Sequence, residues 1–220
     1  MNSMHPAQWP AGLKRTLVHI ACALPLLYWG WQTWLTAQGQ FTPISTDPGA
    51  VLADKTGFWA INLLLASLAL TPLQKLYKLR WVTYRRALGL WAFAYVVLHI
   101  TVFYTLILDG DLAAFWQEVS QRPYIVVGAL AALLLVPLVI TSTESAMRVM
   151  KKRWKTLHKL IYPIAILAVI HQLWQVKSFE MVAVIHTLVL AFLLGIRLYW
   201  WQQKRQKQKK QKQSRAGARA

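Results

Sequence analysis

Six predominantly apolar runs, at about residues 16–35, 57–73, 87–108, 124–141, 160–174 and 181–201, are separated by short polar stretches. A helix rises about 1.5 Å per residue, so each run is close to the roughly 20 residues that cross a hydrocarbon core about 30 Å thick. The fifth run is the shortest. The pattern predicts an all-α membrane protein: a six-transmembrane-helix bundle over residues 15–201, a cytoplasmic segment of residues 1–14 before it and a tail of residues 202–220 after it. The tail is rich in Lys, Gln and Arg with no apolar period, which predicts disorder against anionic lipid headgroups. The first run is too long for the apolar region of a cleaved signal and is followed by Gln38-Gly39-Gln40, so it is expected to stay as the first span. In the loop after it, Asp47-Pro48-Gly49 reads as a tight turn.

Composition agrees with this pattern. Of the 220 residues, 56% are hydrophobic and 12 are Trp, more than a soluble chain of this size readily buries. The net charge of +18 would suit nucleic acid, but the positions of the charges argue for a membrane. Lys14 and Arg15, then Lys75, Lys78, Arg80, Arg85 and Arg86, then Arg148, Lys151, Lys152, Arg153, Lys155 and Lys159, then Arg197 and the basic tail all fall on one side. The alternate loops hold only Lys55, Arg122 and Lys177. Positive loops mark the cytoplasmic side, so both termini are expected inside. Asp47, Asp54, Asp109, Asp111, Glu118 and Glu180 fall outside, as solvated loop charge or as a dock for a basic partner. Glu144, following Ser142 and Thr143, suits the cap of a short helix. Cys22 alone forms no internal disulfide, and no Cys-x-x-Cys-His is present to attach a c-type haem.

Ionisable groups inside spans mark function by default, and here they are almost all histidines. His99 lies 12 residues into the third run and His171 lies 11 into the fifth, and both runs go from inside to outside. The two therefore sit level in the outer half. Two neutral imidazoles facing one another at one depth meet the axial requirement of a b-type haem; the alternative is that each merely hydrogen-bonds a neighbouring helix.

His158 precedes His171 by thirteen residues, about 20 Å along a helix, which puts it at the inner rim. On a straight helix the two point about 140° apart, and the level positions on the third span are Arg85 and Arg86, whose guanidinium groups cannot ligate iron. Pro163 offers a place for the helix to bend. For His158 the choices are a second haem with a different sixth ligand, a contact to a propionate or flavin, or an interfacial position. His19 and His186 suit interhelical hydrogen bonds, with a distant haem or quinone contact as the alternative, and His5 falls in the N-terminal segment. Arg85, Arg86, Arg148, Lys152 and Arg153 suit haem propionate, flavin phosphate or lipid phosphate on charge alone. No phosphate-binding loop, dinucleotide fingerprint or zinc-protease pair is present. An electron conduit through haem and a small transporter or proton relay using intramembrane histidines both remain open.

Four stretches carry a resemblance: Arg85-Arg86-Ala-Leu-Gly89-Leu-Trp91-Ala-Phe-Ala-Tyr-Val-Val-Leu-His99; Thr141-Ser-Thr143; Lys152-Arg-Trp154-Lys-Thr-Leu-His158-Lys-Leu-Ile-Tyr162; and His171-Gln-Leu-Trp174. Jointly the chain resembles, over residues 13–200, the MsrQ (YedZ) family of haem-binding membrane subunits of bacterial periplasmic protein-methionine-sulfoxide reductase systems, within the broader ferric-reductase-like transmembrane family. The resemblance implies a six-helix protein of the bacterial inner membrane that carries haem b and FMN and transfers electrons, the catalytic subunit being its partner. It implies electrons taken from a cytoplasmic flavin reductase or the quinol pool and passed to a periplasmic molybdopterin-containing subunit that reduces oxidised methionine. Carried over by position, His99, His158 and His171 match the family's haem-associated histidines. Arg85 and Arg86 stand where two-haem ferric reductases have the second histidine of the third span.

Overall fold

The computed structural model describes residues 11–78, 81–175 and 180–217. Residues 1–10, with His5, and the basic positions Arg80 and Lys177 lie outside the described residues. Among the described residues the chain is helical, without strands: α1 Ala11–Ala37, α2 Pro48–Tyr77, α3 Arg85–Val102, α4 Leu112–Gln121, α5 Pro123–Ile140, α6 Glu144–Met150, α7 Lys152–Leu157, α8 Ile161–Gln175 and α9 Met181–Gly217. Short 3-10 turns, Trp81–Tyr84 and His158–Leu160, lead into α3 and α8, and a π-helical turn, Phe103–Ile107, closes α3. Among the described residues, five segments are long and apolar enough to cross a membrane: Pro48–Tyr77, Arg85–Ile107, Pro123–Ile140, Lys152–Gln175 and Met181–Gln211. The 27-residue α1 has the length, but His19, Pro25, Gln32 and its tryptophans lower its hydropathy.

The central helix is α2, which packs along α3, α8 and α9, while α5 pairs with α8. Its Ile61, Leu64, Leu65 and Leu68 are buried in one core with Tyr95 of α3, Leu135 of α5, Ile164 of α8 and Leu193 of α9. A helix that is apolar on every side belongs in such a position. The segment Asp47-Pro48-Gly49 starts this helix and is not an isolated turn. The Asp47 carboxylate accepts the Ala50 N–H at 2.8 Å, and Pro48 stands at the first helical position, where it has no N–H to lose. The helix therefore begins nine residues before the apolar run that announces it.

Hydrogen bonds between helices hold α1 and α9 onto this core. Two α3 residues one turn apart hold α1: Trp91 donates to His19 Nδ1 and the buried Tyr95 hydroxyl donates to the Cys22 carbonyl, each at 2.9 Å. Pro72 inside α2 has no N–H, which leaves the Leu68 carbonyl four residues earlier without its helical donor. Arg197 of α9 reaches across and donates to it. Helix α9 then runs on to Gly217, with the described side chains from Trp201 onward exposed, where composition predicts disorder. The buried half of α9 has already nucleated the helix, so good helix formers such as Lys, Gln and Arg extend it with no second nucleation step.

Candidate functional site

His99 on α3 and His171 on α8 face one another, with ring centres 6.3 Å apart and ring planes at 84°. A backbone carbonyl from a further helix orients each ring. His99 Nδ1–H donates to the Ala53 carbonyl of α2 at 2.8 Å, and His171 Nδ1–H donates to the Tyr124 carbonyl of α5 at 2.6 Å. A carbonyl only accepts, so in both rings Nδ1 carries the proton and Nε2 keeps its lone pair. Neither Nε2 has a partner among the described residues, and both rings line a cavity of about 510 Å³.

Glycines make the room. A Cβ on Gly128 would lie 2.7 Å from His171 Nδ1, and a Cβ on Gly57 would lie 3.3 Å from His99 Nδ1. These glycines, and the two carbonyls, are the site features that sequence reasoning missed. The signal available was a glycine in an apolar run, 42 residues before His99 and 43 before His171.

The cavity is polar at one end only. Ala60, Ile61, Leu64, Ala92, Leu135 and Ile164 line its inner part, while Asp54, Glu118, Arg122, Tyr124, Gln175 and Glu180 line its mouth. The short α4 lies across that mouth, capped by Asp111, with Phe115 packed against Phe103 and Tyr104. Arg122 Nε meets Glu118 at 2.6 Å and its Nη1 donates to the Tyr124 hydroxyl at 3.2 Å. The tyrosine hydroxyl first, and the carboxylate after it, hold the guanidinium pKa above its ordinary value. Behind the cavity, buried His186 donates from Nδ1 to Gln172 Oε1 at 2.9 Å.

His158 lies elsewhere, in the 3-10 turn that precedes α8. The break in the fifth span falls there and not at Pro163, which sits in the first turn of α8 where a missing N–H is harmless. The straight-helix angle between His158 and His171 therefore does not apply. Thr141 donates its hydroxyl proton to the Pro137 carbonyl at 2.6 Å, so it accepts from His158 Nε2 at 3.1 Å. Trp154 lies flat on the imidazole, ring centres 3.9 Å apart, and donates Nε1–H to the Thr141 carbonyl at 2.8 Å. Thr143, and not Glu144, caps α6, accepting from the Ala146 N–H. Arg85 donates to Thr71 Oγ1. Arg86, Arg148, Lys152 and Arg153 are exposed at the same end of the bundle as His158, and none of these five cations lines the histidine cavity.

A family model described as "Ferric reductase like transmembrane component" matches residues 56–169, which include His99 and His158 and end two residues before His171. The protein-methionine-sulfoxide reductase heme-binding subunit MsrQ of Xanthomonas euvesicatoria pv. vesicatoria is 44% identical over 186 residues, 84% of this chain and 85% of that one. The subunits of the same name from Xanthomonas campestris pv. campestris, 44% identical over 84% of this chain and 85% of their own, and Xanthomonas oryzae pv. oryzae, 43% identical over 85% and 86%, are similar to the same extent. With five helices fit to cross a bilayer and this degree of identity over most of its length, the chain is a multi-pass bacterial membrane protein and belongs to the ferric-reductase-like transmembrane family and, within it, to the MsrQ family.

Proposed function

We propose that this chain is the membrane electron-transfer subunit of a protein-methionine-sulfoxide reductase system, with a b-type haem held between His99 and His171. The observation that carries the proposal is the pair of unengaged Nε2 atoms on rings 6.3 Å apart. Two metal–imidazole bonds of about 2 Å each, with each bonded nitrogen about 1 Å from its ring centre, set ring centres roughly 6 Å apart. Metal-bound histidines commonly donate their other N–H to a carbonyl, as both rings do here. Two imidazole nitrogens are what a b-type haem takes from its protein, the macrocycle supplying the other ligands. The cavity has the size and apolar lining that a prosthetic group needs.

Bound there, haem supplies a reversible one-electron site in the outer half of the membrane. The chain's own part is to fix ring tautomer and direction through Ala53 and Tyr124, to leave room through Gly57 and Gly128, and to exclude water with the surrounding apolar helices. In this proposal α1 is a sixth span and both termini are cytoplasmic, supported by the basic residues clustered at the end away from the cavity mouth. Electrons enter from a cytoplasmic flavin reductase or from quinol and leave to a periplasmic molybdopterin-containing subunit. FMN belongs to the cytoplasmic end, where Arg148, Lys152 and Arg153, with Arg85 and Arg86, match its phosphate in charge. His158, whose Nε2 is engaged by Thr141, serves that end and does not ligate the iron between His99 and His171.

Purified protein is expected to show a Soret band and an α-band that sharpens with dithionite. His99→Ala and His171→Ala should each abolish these bands, while His158→Ala should leave them at least partly intact. A colourless wild type, or full haem retention in His171→Ala, overturns the assignment. A green fluorescent protein fused to the C-terminus should fluoresce in cells; a dark fusion beside an active alkaline phosphatase fusion overturns the topology.

A further inference from the structure

The histidine cavity has a one-sided supply of hydrogen-bond donors. Its inner part is lined by hydrocarbon, where a carboxylate would lose its hydration with nothing in exchange. At the mouth, Arg122 is the one lining residue with a fixed positive charge among the described residues. A guanidinium carries five N–H groups, and the bonds to Glu118 and Tyr124 use only the Nε and Nη1 sides. The Nη2 side has no partner among the described residues. Of the acids at the mouth, Asp54 is occupied by Lys55 at 2.8 Å and Glu118 by Arg122 itself, which leaves Glu180 as the one with no ion pair among the described residues. The cations that charge alone nominated for propionates, Arg85, Arg86, Arg148, Lys152 and Arg153, sit at the far end of the bundle.

We propose that Arg122 is the carboxylate-binding residue of this cavity, and that a haem seated between His99 and His171 has its two propionates turned to the outer mouth. The inference rests on the haem assignment above and adds a direction to it. Arg122 shares its fork between Glu118 and the propionates, so the Glu118 pair acts as a holding contact that keeps the guanidinium aimed at the mouth.

The test uses full-length apoprotein in detergent, reconstituted with haem and, separately, with haem dimethyl ester, in which both propionates are methylated. Wild type is expected to retain haem at least tenfold better than the ester, and Arg122→Gln to lose that preference. Arg122→Gln should also lower the haem midpoint potential, because a nearby cation favours the reduced centre; each tenfold change in ferric-over-ferrous preference is about 59 mV for one electron. Glu118→Gln should move the potential the other way, and Arg85→Gln should change neither readout. An unchanged ester preference in Arg122→Gln, or its loss in Arg85→Gln, overturns the proposal. Should Arg122→Gln fail to fold, Arg122→Lys and Glu118→Gln decide: a potential that moves in neither overturns it. Wild type that binds neither porphyrin removes the haem assignment itself, whereas haem bound without ester discrimination removes only the role of Arg122.

Discussion

The two ends of this bundle treat the same side chain in opposite ways. At the facing pair, backbone carbonyls take the Nδ1 proton of His99 and His171 and leave Nε2 without a partner among the described residues. At the opposite end, a hydroxyl takes the Nε2 proton of His158, and an indole covers the face of the ring. The difference lies in what surrounds the imidazole. Carbonyls at Ala53 and Tyr124 approach from behind the ring because glycine or a helix start lets the backbone come close, so the ring is pushed outward into space. Thr141 approaches from the front and closes that space. An imidazole in a membrane thus becomes a candidate ligand or a structural donor according to which nitrogen its neighbours consume.

The strongest challenge to this contrast is Gly128→Ala. The added methyl would lie 2.7 Å from His171 Nδ1, a clash with a ring fixed by its own hydrogen bond. Overpacking of this kind costs about 1–3 kcal/mol, so haem occupancy is expected to fall roughly tenfold or more, read as the haem-to-protein ratio of the purified protein. Full occupancy would mean that the ring position is not what selects the ligand. Gly57→Ala is the milder counterpart, since 3.3 Å requires only a small adjustment, and a loss of about threefold is expected in the same measurement. At the other end, Thr141→Val leaves the His158 Nε2–H without its acceptor; it should cost about 1–3 kcal/mol of stability in thermal unfolding and leave the outer haem spectrum unaltered. Loss of the Soret band in Thr141→Val would tie the two ends into one site. The smallest effect belongs to Trp154→Phe, which keeps an aromatic face on His158 but drops one hydrogen bond, worth about 0.5–1.5 kcal/mol in the same melt.

Much of this was legible in the sequence, and the limits have physical causes. Depth was readable because every helix rises by the same increment, so equal counts into two co-directional runs put His99 and His171 together. The orienting groups were not readable, because a backbone carbonyl looks the same at every residue, and Ala53 and Tyr124 say nothing of their acceptor role. Gly128 shows only a missing side chain, and its reason for being small is a ring on another helix. Thr141, Trp154 and His158 stood in the resembling motifs, yet their shared cluster depends on the 3-10 turn His158–Leu160, which apolar periodicity does not reveal. The start of α2 was misplaced for a related reason: Asp, Pro and Gly serve both turns and helix beginnings, and only the accepted Ala50 N–H tells them apart.

The contact between Arg197 and the carbonyl that Pro72 sets free also orders events in time. Helix α2 leaves the ribosome long before α9, and until that last span arrives the Leu68 carbonyl has no donor from the finished structure inside the hydrocarbon. Completion of the bundle is thereby registered by its final segment. A chain interrupted before Arg197 lacks the donor that the Leu68 carbonyl takes in the finished bundle, and its central helix keeps one seam open.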